Sequence, residues 1–128
     1  MPHLSIQYSP QLDDSHDMSA LCHKLNEAIV ETELFPLAGI RVRAFRADHE
    51  SVADCHPDNA FVAMQMYIGQ GRTLEEQQRA GAHVYAAAEA FFAERLAGAH
   101  FMLSMEIFEN NAAVSWKRNS VHPRLKKQ

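Results

Sequence analysis

The sequence predicts an α+β fold, with two β-α-β units in tandem forming a four-stranded mixed sheet and two helices on one of its faces. Three observations carry this expectation. Four segments carry apolar residues on one face with period two and mixed residues on the other, two others repeat apolar residues at helical spacing, and the order strand, helix, strand occurs twice. The halves run over about 2–46 and 60–109, and a C-terminal tail follows, all within a single domain spanning 1–128.

In the first half, His3 to Tyr8 places Leu4, Ile6 and Tyr8 on one face and His3, Ser5 and Gln7 on the other, as a half-buried strand does. Ser15 and Asp17 introduce a helix carrying Met18, Leu21, Cys22, Leu25, Ala28 and Ile29 at helical spacing. Leu37-Ala38-Gly39 ends the connection, and Ile40 to Phe45 reads as the second strand. A polar segment from Ala47 to Asn59 links the halves.

The second half repeats the order. Val62, Met64, Met66 and Ile68 share one face of a strand over Ala60 to Ile68, and Gly69-Gln70-Gly71 breaks it. Thr73 with Glu76 three residues later forms a capping box. The long helix behind it carries Leu74, Gln77, Ala80 or Gly81, Val84, Ala88, Phe91 and Phe92 along one stripe, with Gly98 as its stop. His100 to Phe108 is the fourth strand, with Phe101, Leu103, Met105 and Ile107 on one side. Ala112 to Trp116 suggests a short fifth strand, and Arg124, Lys126 and Lys127 read as a solvated tail. Each crossover is expected to be right-handed with its strands parallel. One sheet face is then left uncovered, which predicts association with other copies.

Composition narrows the function. A net charge of −4 with no basic, aromatic-rich stripe excludes non-specific nucleic-acid binding. The start of the chain has no basic segment followed by an apolar run, and no stretch is long and apolar enough for a membrane span, so a cytoplasmic location is expected. Cys22 and Cys55 could form one bridge, which a chain of this size does not need.

The residues that could carry chemistry are few. If Met1 is trimmed, Pro2 presents a secondary amine at the start of a buried strand, and burial or nearby cations would lower its pKa toward neutrality. Such an amine is suited to moving a proton between carbons. Arg41 and Arg43 project from one strand face, Arg46 is close, and Arg72 follows the glycine turn. Together they suggest a carboxylate-binding site. The linker residues Asp48, His49, Asp54, Cys55 and His56 match no compact zinc spacing, so no metal is expected. The turn at Gly69 lacks both phosphate-binding glycine patterns, so no nucleotide cofactor is expected.

Met1-Pro2-His3, Phe35-Pro36-Leu37-Ala38-Gly39-Ile40-Arg41, Ala60-Phe61-Val62, Gly69-Gln70-Gly71-Arg72-Thr73-Leu74-Glu75 and Asn119-Ser120-Val121-His122 occur in colinear order. In this the chain resembles the 5-carboxymethyl-2-hydroxymuconate isomerase family of the tautomerase superfamily. The resemblance implies a cofactor-free isomerase of homoprotocatechuate catabolism, assembled as a homotrimer with sites at subunit boundaries. It implies Pro2 as the catalytic base and Arg41 as the substrate-carboxylate residue. Arg72 would bind a second carboxylate, and Trp116 would either wall the pocket or serve as a core aromatic. Two alternatives remain: a tautomerase for another enol such as phenylpyruvate, or a non-catalytic trimeric binding protein.

Overall fold

The computed structural model describes residues 1–126. Its strands are β1 (His3–Tyr8), β2 (Arg41–Arg46), β3 (Ala60–Ile68) and β4 (Phe101–Glu109), in the sheet order β2-β1-β3-β4. β1 runs parallel to β2 and β3 parallel to β4, while β1 and β3 pair antiparallel at the centre. Two parallel β-α-β halves are thus joined back to back, as the repeated pattern predicts.

The alternation decides which face is covered. Leu4, Ile6 and Tyr8 of β1 and Val62, Met64, Met66 and Ile68 of β3 are buried, and Val42, Ala44, Leu103, Met105 and Ile107 of the outer strands pack against them. Helices α1 (Met18–Glu31) and α2 (Leu74–Phe91) cover this face, with Leu21, Leu25, Ile29, Val84 and Ala88 at their inner positions. Asp17 caps α1 by accepting from the Ala20 N–H at 3.1 Å. Thr73 and Glu76 form the expected reciprocal capping box on α2. Among the described residues no helix covers the other sheet face, which leaves Phe45, Tyr67, Met102 and Phe108 exposed.

The structure corrects several expectations. The long helix does not run unbroken to Gly98: it ends at Phe92, fully buried, and restarts as α3 (Ala93–Ala97). Phe92 packs against His16, Phe91 and Phe101 at centroid distances of 5.0–5.1 Å, and seating this ring ends α2. Leu74 lies outside the core at 69% exposure. No fifth strand forms among the described residues: Ala112–Val114 is a single tight turn, capped by the Asn111 side chain. Arg124 and Lys126 are exposed, as a solvated tail requires, but the segment is not unstructured. Val121–Lys126 forms α4 against the Leu37–Gly39 turn, so Arg124 and Lys126 belong to a helix, and Lys127 lies outside the described residues. The expectation also omits the tight helical turn Pro10–Asp14, which buries Leu12. No helix among the described residues is long and apolar enough to cross a membrane.

Candidate active site

The topology decides where a site can form. β1 and β2 start at the same end of the sheet, and β3 and β4 end there, with His3 opposite both Arg41 and Tyr67 and Ile68 opposite Glu109. The chain terminus, Arg41 and the Gly69–Arg72 turn therefore converge. Gly71 adopts φ +117°, a left-handed conformation natural to glycine, and this turn delivers Arg72 to the site.

A cavity of about 760 Å3 opens at this end. Met1, His3, Arg41 and Arg72 line it, and the tail contributes Trp116, Lys117 and Arg118. No carboxylate side chain lines it among the described residues. The ion pairs among those residues lie elsewhere, at Arg46–Asp13 and His83–Glu31, so none binds a cavity cation. A chain of net charge −4 thus places around one hollow four cations with no ion-pair partner among the described residues, a composition suited to a multiply charged anion.

Each cation is held differently. The Arg72 guanidinium donates to the carbonyls of Leu34 at 3.0 Å and Gly69 at 3.5 Å, and lies 4.6 Å from the centroid of the Phe35 ring. Two of its donors are committed, which fixes the orientation of the rest. Arg41 is exposed, while its backbone N–H donates to the Pro2 carbonyl at 3.1 Å and anchors the first strand to the second. Arg43 donates to His3 Nδ1 at 3.2 Å and Arg46 pairs with Asp13, so neither lines the cavity. Burial first, then the charges of Arg41 and Arg43, lower the His3 pKa and favour the neutral ring.

Pro2 is buried one residue in from the terminal amine. With Met1 attached its nitrogen is an amide and carries no basic lone pair. The Met1 side chain packs on Gly39, where an added Cβ would come within 2.8 Å of its Cγ, and Asn119 Nδ2 approaches its sulfur at 3.4 Å. The Met1 amino group sits in a revealing environment: burial first, then the charges of Lys117, Arg72 and Arg41, hold its pKa below the usual α-amino value. Trp116 is 87% exposed in the single chain, so it takes no part in this chain's core, and it lines the cavity.

The linker residues assemble only in part. His56 and Asp58 meet His100, with ligand atoms within 4.8 Å of one another, whereas His49, Asp54 and Cys55 stay outside this cluster. His56 Nδ1 accepts the Asp58 N–H at 3.1 Å, and the His56 and His100 rings stack with centroids 4.2 Å apart. Asp54 accepts from Asn59 Nδ2 at 2.7 Å and shapes the loop. Both cysteines are free.

Sequence reasoning missed Lys117 and Arg118. Their signal was the run Trp116-Lys117-Arg118-Asn119, obscured because its neighbourhood was read as strand and solvated tail.

Comparison with known proteins gives the family and the fold. A family model described as 5-carboxymethyl-2-hydroxymuconate isomerase matches residues 2–125. The chain belongs to the 5-carboxymethyl-2-hydroxymuconate isomerase family. It is 36% identical over 126 residues to 5-carboxymethyl-2-hydroxymuconate Delta-isomerase of Escherichia coli, covering 98% of this chain and 100% of that protein. The crystal structure of a 5-carboxymethyl-2-hydroxymuconate isomerase from Deinococcus radiodurans R1 superposes with a TM-score of 0.90 at 36% identity, covering 97% of this chain and 93% of that one. The fold extends to a fused 4-OT wild-type symmetric trimer, with a TM-score of 0.61 at 15% identity over 94% of this chain and 98% of that one. This isomerase family is thus built on the four-stranded mixed sheet found here.

Proposed function

We propose that the chain, once Met1 is removed, isomerises 5-carboxymethyl-2-hydroxymuconate with Pro2 as its proton carrier, a step in the catabolism of aromatic compounds. The observation that carries this reading is the terminal amine beside Arg41 and Arg72 in a cavity that no carboxylate lines among the described residues, in a chain of this family. A neutral Pro2 amine takes the hydroxyl proton of the dienol. The C–O bond becomes a carbonyl, the double bonds shift along the chain, and the ammonium returns the proton to a more distant carbon. Atoms and electrons balance without an oxidant or reductant.

Arg41 offers an uncommitted fork to one substrate carboxylate, and Arg72 offers its remaining donors to a second. Both also stabilise negative charge that develops on the oxygen. A wall of Trp116 would exclude water and keep the amine neutral. The four cations favour this polyanion over a single-carboxylate enol such as phenylpyruvate. In this reading the enzyme is a homotrimer, and a neighbouring subunit covers the exposed Trp116.

The test compares two preparations separated by intact mass, one with Met1 and one beginning at Pro2. The Pro2 form should convert the dienol, followed by loss of its ultraviolet absorbance, and the Met1 form should be inactive with an unchanged circular dichroism spectrum. Equal rates from both forms would remove Pro2 from the mechanism.

A further inference from the structure

We infer that Lys117 and Arg118 form a separate subsite for a third carboxylate and so select a tricarboxylate dienol over a dicarboxylate one. This rests on the substrate reading above, which identifies no group for the third anion. A muconate skeleton bears one carboxylate at each end, and the carboxymethyl branch adds another. Three anions entering one cavity need three cationic partners, since a carboxylate taken from water without one is strongly disfavoured.

Arg41 and Arg72 supply two partners. Arg72 is not free to gather another, because the Leu34 and Gly69 carbonyls and the Phe35 ring hold its guanidinium in place. Lys117 and Arg118 reach the same cavity from a separate part of the chain. Arg118 also lines an adjoining hollow together with Arg41 and Met1, which places it beside the first carboxylate site. Lys117 also lines a second hollow together with Met1 and Gly39, which places it at the chain terminus.

The segment carrying them is anchored rather than loose. Asn119 Nδ2 donates to the Ala38 carbonyl at 2.9 Å, while Asn119 Oδ1 accepts the Val121 and His122 N–H groups at the start of α4. One side chain thus ties the segment to the turn before Arg41 and to the C-terminal helix. Neither Lys117 nor Arg118 joins an ion pair among the described residues, so no internal contact accounts for their charge.

The experiment compares kcat/KM for 5-carboxymethyl-2-hydroxymuconate and for 2-hydroxymuconate, which lacks the third carboxylate, in the Met1-free enzyme, Lys117→Ala, Arg118→Ala and Arg118→Lys. The ratio of the two constants at one pH is read, because any change in amine ionisation acts on both substrates and cancels. Each alanine variant should lower the ratio about tenfold or more, the loss of one charged hydrogen bond, with partial recovery in Arg118→Lys. An unchanged ratio, with both substrates losing equally, would overturn the subsite.

Calorimetric binding of tricarballylate and glutarate separates this from failure of the substrate reading. If the wild-type enzyme converts neither dienol yet prefers tricarballylate in a Lys117- and Arg118-dependent way, the isomerase reading fails and the subsite stands. If it shows no such preference, the subsite falls whatever the turnover.

Discussion

Arg41 acts on two quantities that kinetics can separate. In the proposed reading its fork holds a substrate carboxylate, and its charge is one of three that depress the pKa of the Met1 amine. Arg41→Ala should lower kcat/KM by roughly ten- to a hundredfold, from loss of about 1.5–3 kcal/mol of charged hydrogen bonding. The sign of the pH effect follows from the same charge. Removing a neighbouring cation stabilises the ammonium, raises the amine pKa, and moves the rising limb of the pH–rate profile to higher pH. Arg43→Ala, on the same strand face but outside the cavity lining and reaching it only through His3, should change KM for substrate far less than Arg41→Ala. A profile that stays in place in Arg41→Ala would show that Arg41 does not act on the base. Arg41 and Arg43 are indistinguishable in the sequence, because strand periodicity gives the face but not the position along it. Only the shared end of β1 and β2 separates them.

At the scale of elements, the join between α2 and α3 depends on one ring. Phe92 is fully buried among His16, Phe91 and Phe101, so Phe92→Ala should cost about 3–5 kcal/mol and lower Tm markedly, as read by calorimetry at fixed protein concentration. Leu74→Ala, exposed on the same helix, should cost far less in the isolated chain. The strands were legible because β1, β3 and β4 alternate without interruption, and the starts of α1 and α2 because Asp17 and the Thr73–Glu76 pair carry their capping chemistry in the sequence. The break at Phe92 was not, since helical spacing continues through it and only tertiary packing ends the helix. Nor was α4, a short helix held by contact with Leu37–Gly39. Its signal was nonetheless present: Asn119 ahead of the helix and Pro123 in its first turn, where a missing N–H costs little.

At the scale of the whole molecule, the uncovered sheet face is the main unfinished business of the fold. Phe45, Tyr67, Met102 and Phe108 lie exposed across it, with Tyr67 and Phe108 stacked at 5.2 Å, while β2 and β4 each leave one edge without a partner strand. Mixed with Arg43, Gln65 and Glu106 on the same face, these rings suit a surface buried between copies better than one bathed in water. Light scattering should therefore report a mass about three times the 14.4 kDa chain, stable on dilution. Tyr67→Asp replaces the ring stacked on Phe108 with a charge on this apolar face, which is costly to bury between copies, and should shift the population toward smaller species. Because Trp116 is expected to need a neighbour to close the cavity wall, turnover should fall in step with the trimer fraction across a dilution series of this variant. A wild-type chain that remains monomeric at every concentration and still isomerises the dienol would show that the site is complete within one subunit.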